Sequence, residues 1–89
     1  MNYYRKKNVY ELNKSYDVKY HSHSLFYTGI DDSQKWTCSG NLLNEGCFSG
    51  LTSSSQTKGF ERFKCYKCDF NLCRNCMDNY LKEGTCNIF

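Results

Sequence analysis

Alanine is absent from this chain, and aliphatic side chains are scarce: seven Leu, two Ile and two Val stand beside two Met in 89 residues. That excludes a core of ordinary aliphatic packing, because a chain of this length buries only about 60–65% of its surface and has a large ordering entropy to offset. No stretch is long and apolar enough to span a bilayer. Nor does the segment Met1 to Lys14 (MNYYRKKNVYELNK) hold the apolar run of a secretory leader. Paired carboxylates, a phosphate-binding glycine loop and internal repeats are also missing, so the usual signatures of hydrolases, nucleotide-binding proteins and solenoids are not met.

What the chain does have is aromatic mass and cysteine: eight Tyr, six Phe and seven Cys. A segment such as Ser49 to Gly59 (SGLTSSSQTKG) adds almost nothing to a core, and Ser53 to Ser55 reads as a solvated loop. A staple other than packing is therefore needed. The cysteine density approaches that of secreted disulfide scaffolds, but the count is odd and no leader is visible. The expectation is an intracellular, reducing compartment, cytoplasmic or nuclear, where clustered C-x2-C pairs hold metal rather than disulfides. Metal also changes the charge. The formal net charge is +3, and six thiolates with two Zn²⁺ would bring it to about +1. The basic signal that would point to nucleic acid then nearly vanishes.

Residues 1–18 read as a basic and aromatic extension, with Arg5-Lys6-Lys7 and interspersed tyrosines but neither Cys nor His. Residues 19–84 carry the metal-ligand candidates, and 85–89 form a tail. The runs Ser24 to Thr28, Lys35 to Cys38 and Phe60 to Cys65 predict short strands of a small antiparallel sheet. Along the last of these Phe60, Arg62 and Lys64 alternate with Glu61, Phe63 and Cys65, which leaves the two faces unassigned. From Cys73 the period changes, and Cys73, Cys76, Met77, Tyr80 and Leu81 fall on one helical stripe that Gly84 ends. The expected fold is thus a small α+β domain stabilised by metal, with one C-terminal helix carrying two thiolates in its first turn, where the positive end of the helix favours them.

The strongest local signal is Cys65-x2-Cys68-x4-Cys73-x2-Cys76. Each C-x2-C knuckle can turn two sulfurs toward one tetrahedral ion with Zn–S near ~2.3 Å. The alternation of Phe70 and Leu72 makes the intervening segment a short strand, and five extended steps from Cys68 to Cys73 span roughly 17 Å. An extended segment keeps the two pairs from sharing an ion, so two zinc ions are expected, each completed from elsewhere in an interleaved arrangement. His21, His23, Cys38 and Cys47 supply the missing four donors. Cys86 is left over as a free thiol, or as a replacement for a middle cysteine. An iron–sulfur cluster on the same run would leave the two further Cys and the H-x-H idle.

Taken together, His21-Ser-His23-Ser-Leu25, Trp36-Thr-Cys38 and Phe63-Lys-Cys65-Tyr-Lys-Cys68-Asp69-Phe70-Asn71-Leu72-Cys73-Arg-Asn-Cys76 resemble the signature of C1-like (DC1) domains. The cysteine core is also similar to that of ZZ-type treble-clef domains. The resemblance covers about residues 20 to 77 and implies a cross-brace treble clef. It would set His21, His23, Cys65 and Cys68 on one zinc and Cys38, Cys47, Cys73 and Cys76 on the other. Two departures stand out. Asn41 occupies the place where the family has the second cysteine of the middle pair, so that Cys47 must loop back over the spacer Ser39 to Gly46 (SGNLLNEG). Asn71 stands where the pattern often has Asp, which should alter a turn contact rather than the metal.

With closed four-donor sites the chain is not expected to be an enzyme, since hydrolytic zinc needs an open position. The leading expectation is a protein-interaction or architectural module, one small component of a larger assembly. A second class is weak single-stranded nucleic-acid binding through Phe60, Arg62, Phe63, Lys64, Tyr66 and Lys67. A third is lipid binding by analogy with true C1 domains, for which apolar loop tips are sparse. Trp36 reads as a packed hydrophobe beside Cys38, and Arg5-Lys6-Lys7 as a solvated cluster.

Overall fold

A computed structural model describes residues 9–82 of the chain. Four strands, β1 (Ser15–Tyr16), β2 (Leu25–Ile30), β3 (Glu61–Lys64) and β4 (Asn71–Cys73), form an antiparallel sheet in the order β1-β2-β3-β4, followed directly by the helix α1 (Arg74–Tyr80). Aromatic and aliphatic residues make β2 a natural strand, and its register against β3 shifts between Tyr27 and Gly29, where Gly29 takes φ 73°. A residue with a side chain would be strained there, and its Cβ would meet Leu12 at 3.2 Å.

Register explains why β3 resisted a two-faced assignment. Tyr27, Phe63 and Leu72 lie side by side across β2, β3 and β4, while Arg62 pairs with Cys73 one position away on the opposite face. Successive strand residues alternate faces, so these form two separate surfaces, and the sheet is covered on both. One face packs against α1: Leu25, Phe63, Leu72, Met77 and Tyr80 are buried there, with Tyr10 meeting Phe63 edge to face at 4.6 Å. The other face lies under the long segment that joins β2 to β3. There Arg62, only 5% exposed, donates from Nε to Asn71 Oδ1 at 2.9 Å and pairs with Asp31 at 2.8 Å. Its guanidinium also lies 5.7 Å from the centroid of the buried Trp36 ring.

Three features differ from the sequence expectations. Lys35 to Cys38 is not a strand; Trp36 is buried, its carbonyl accepts from Thr57 Oγ1 at 3.0 Å, and Cys38 caps a 3-10 turn over Ser39–Leu42. Burial of the ring and capping by the thiol engage this segment in place of a strand ladder. The second difference concerns the extension. Arg5-Lys6-Lys7 lies outside the described residues, but Tyr10 and Val18 are buried, β1 pairs with β2, and Val18 bridges Leu81 beyond the helix. Third, Asn71 is buried in β4 and holds Arg62 through its side chain while its N–H donates to Ser39 Oγ at 3.0 Å, so it makes a strand contact rather than a turn contact. Helix α1 begins one residue after Cys73, which occupies its N-cap, and Leu81 closes it; Gly84 lies outside the described residues.

Candidate metal centres

Two groups of four side chains bring their donor atoms together, each group within 4.8 Å: His21, His23, Cys65 and Cys68 in the first, Cys38, Cys47, Cys73 and Cys76 in the second. Both cysteine pairs of the tight run are therefore split between groups, as the extended β4 between them requires. The groups also interleave along the chain, because each takes one pair from before β3 and one from after it. The six described cysteines are free thiols.

In the first group, Cys65 and Cys68 sit on the connection from β3 to β4, which closes with Cys65 N–H donating to Phe70 O at 3.0 Å. His23 Nδ1 lies 3.1 Å from Cys68 Sγ and 3.8 Å from Cys65 Sγ. His21 stacks on Phe70, ring centroids 4.0 Å apart and planes within 9°. Its Nε2 is buried without a hydrogen-bond partner, and in the tautomer that leaves this nitrogen unprotonated a coordinated cation would satisfy its lone pair. Burial, and then the neighbouring His23, lower the His21 pKa, which favours the neutral imidazole that a metal needs.

The second group is buried more deeply. Cys38, Cys73 and Cys76 are 3%, 0% and 0% exposed, and Cys47 is half-buried. Their sulfurs lie 3.6 Å apart for Cys38 and Cys76, and 3.8 Å apart for Cys47 and Cys73. Four sulfurs about 2.3 Å from a tetrahedral zinc are about 3.8 Å from one another, so these edges fit such an ion. Hydrogen-bond donors surround the set: Gly40 N–H and Cys73 N–H to Cys38 Sγ at 3.4 Å each, Leu51 N–H to Cys47 Sγ at 3.4 Å, and Phe48 N–H to Cys76 Sγ at 3.2 Å. Ser49 Oγ lies 3.1 Å from Cys73 Sγ and accepts from Asn75 Nδ2 at 3.0 Å, which leaves its own proton free to point at the sulfur. Donors of this kind stabilise thiolate over thiol.

The thiols of the second group weigh on one another. Hydrogen bonding from Cys38, then from Cys76, draws Cys73 far below the ordinary thiol range. Cys38 is pushed up, first by its hydrogen bond with Cys73, and Cys76 likewise, first by Cys38. One thiolate forms readily and a second is resisted, an obstacle that a divalent cation removes. In the first group Cys68 is raised, by desolvation and then by Cys65.

Cys47 reaches its group because the spacer folds back. A Cβ on Gly40 would lie 2.6 Å from Cys76 Sγ, so only glycine lets the chain pass this close to the sulfurs. Asn41 donates from Nδ2 to Cys38 O at 3.4 Å and to Leu51 O, tying the two ends of the loop together. Gly46 takes φ 75° just before Cys47, and its carbonyl accepts from the Tyr80 hydroxyl at 3.0 Å. Cys86 lies outside the described residues. Among the nucleic-acid candidates, Arg62 and Phe63 are buried while Lys64 and Phe60 are half-buried and Tyr66 is exposed; Lys64 Nζ lies 4.9 Å from the Tyr66 ring centroid. Sequence reasoning did not single out Ser49, Gly40 or Asn75 around the sulfurs, and no motif marks them. Only folding brings them there. No helix among the described residues is long and apolar enough to cross a membrane. The chain matches no family model, no curated protein and no solved structure.

Proposed function

We propose that the chain is a structural zinc module of the C1-like or ZZ-type treble-clef kind, whose task is to present a protein-interaction surface within a larger assembly. The observation that carries the metal reading is the pair of four-donor groups, with sulfur–sulfur edges of 3.6 and 3.8 Å and an orphaned buried His21 Nε2. Thiolate and imidazole donors in tetrahedral sets select zinc over the hard cations, which take oxygen. His21, His23, Cys65 and Cys68 would hold one Zn²⁺, and Cys38, Cys47, Cys73 and Cys76 the other. Zinc bound there supplies charge neutralisation and cross-linking. Four protein donors fill each tetrahedron, so the centres are structural rather than catalytic.

A protein partner is favoured by the aromatic surface beside α1. Tyr20 and Phe48, 66% and 40% exposed, pack on Tyr80 at 5.9 and 5.3 Å between ring centroids. Aromatic side chains of this kind are enriched at interfaces. Burial of Arg62 and Phe63 weighs against the nucleic-acid alternative, because both are engaged within the domain. The test of the metal reading is native mass spectrometry with elemental analysis. Two zinc ions per chain and a colourless protein are expected; one ion, or a visible band from iron, overturns the assignment. Binding to single-stranded oligonucleotides should be no tighter than ~10⁻⁴ to 10⁻⁶ M at physiological salt, as fluorescence anisotropy would measure.

A further inference from the structure

We propose that the first centre is an oxidant-sensitive release site, in which the thiolate of Cys68 is modified by peroxides and that of Cys65 resolves it, while the second centre is spared. The proposal rests on the zinc reading above and on a difference between the two sulfur sets. Cys68 is the exposed member among the six described cysteines. Among the described residues its sulfur contacts His23 Nδ1 at 3.1 Å and receives no backbone N–H, whereas Cys65 receives Lys67 N–H at 3.4 Å. Every sulfur of the second centre has a donor from Gly40, Cys73, Leu51, Phe48 or Ser49, and three of the four are at most 3% exposed. Hydrogen bonds withdraw electron density from a coordinated sulfur, and burial bars approach. Both protections are weakest at Cys68. Zinc would hold each of these sulfurs as thiolate, so access and hydrogen bonding decide which is oxidised, and oxidation goes furthest toward a reversible product where a second cysteine stands beside the first. Cys65 is that second cysteine, with its sulfur inside the same 4.8 Å group.

The chemistry balances with a hydroperoxide as the oxidant. Cys68 Sγ attacks the peroxide oxygen; an S–O bond forms, the O–O bond breaks, and hydroxide or alkoxide leaves. Cys65 Sγ then attacks the Cys68 sulfur, forming the S–S bond and expelling the hydroxyl oxygen as a second hydroxide. Two thiolates have lost two electrons and the peroxide has gained them. Two of the four donors of the centre are gone, and His21 and His23 alone hold a metal poorly.

The experiment uses the full chain carrying Cys86→Ser, which leaves as thiols only the six cysteines of the two four-donor groups. Zinc content is measured first; two ions per chain establish the parent reading, and any other count overturns that reading and this proposal together. Hydrogen peroxide is then added in increments while a chromogenic chelator records free zinc and peptide mapping records disulfides. The expected result is release of about one zinc per chain with a Cys65–Cys68 disulfide, the second zinc appearing only at ten-fold or more higher peroxide. Release of both ions together, a first disulfide within Cys38, Cys47, Cys73 and Cys76, or no thiol oxidation at the first centre at peroxide doses that oxidise glutathione would overturn it. Cys68→His, which keeps four donors, should retain two zinc ions and slow the first release at least ten-fold; an unchanged release rate would also count against it.

Discussion

The two centres differ in how the fold holds them. The second is built into the molecule: Cys73 caps α1, Cys76 lies within it, and Cys38 caps a 3-10 turn packed under β4. The first sits at the rim, on the connection from β3 to β4 and on the turn before β2, with Cys68 exposed. The same chemistry should therefore serve two ends. With zinc bound, the buried centre would add to a core short of aliphatic side chains, and the rim centre would fix one turn that the sheet has already aligned.

The largest effect that could break this comparison comes from removing one donor at each centre. Cys76→Ser should leave the chain without a cooperative fold, because zinc binding of ~10–16 kcal/mol exceeds the ~5–15 kcal/mol stability of an ordinary domain. Cys68→Ser should instead retain one zinc and a dispersed amide spectrum. Loss of dispersion in both variants, or in Cys68→Ser alone, would show that the rim centre carries the fold.

Acidification offers the next separation. The His21 pKa is depressed, so protons bind the unfolded chain more readily than the folded one; the stability that neutral His21 contributes is full above 6.5 and is lost as pH falls from there through its lower folded pKa. Centre two has no histidine. Lowering the pH through this window should release one zinc first, accompanied by shifts of the imidazole proton resonances, with the second ion leaving only in stronger acid. A single release step for both ions would contradict it.

Smaller effects probe how closely the second centre is packed. Gly40→Ala places a Cβ 2.6 Å from Cys76 Sγ and should destabilise by ~1–3 kcal/mol, the range of overpacked sites. Urea titration would measure the shift. Ser49→Ala, which removes a single hydroxyl beside Cys73 Sγ, should lower stability by ~1 kcal/mol. Exchange of the second zinc with isotopically labelled zinc should accelerate several-fold while the first is unaffected, and equal acceleration at both centres would remove Ser49 from the role.

Much of the site was legible because it depends on local geometry. A C-x2-C knuckle fixes where two sulfurs point, and the alternation across Phe70 to Leu72 makes an extended segment too long for one ion. The strand expected over Ser24 to Thr28, observed as Leu25–Ile30, and the helix after Cys73 likewise followed from composition and period. Lys35 to Cys38 misled because an aromatic followed by a β-branched residue reads as strand, yet the Trp36 ring is buried near Arg62 and pairs with no strand. Residues 1–18 read as an extension, and within it the two-residue β1 has no period to detect and Tyr10 shows its role only when it meets Phe63.

The sequence by itself determined the donor inventory and the division of the two tight cysteine pairs between two groups. Those follow from residue chemistry and the reach of the backbone. Tertiary structure decided the rest. It brings Cys47 across an eight-residue spacer to the buried centre, uses Asn41 to tie that loop, and leaves room for the sulfurs only because position 40 is glycine. It turns Arg62 from a surface cation into a buried tie between Asp31 and Asn71, and it leaves Cys68 exposed while Cys73 and Cys76 are sealed. Each of these depends on which segments lie against one another, and a contact between residues distant along the chain leaves no periodic trace in the sequence.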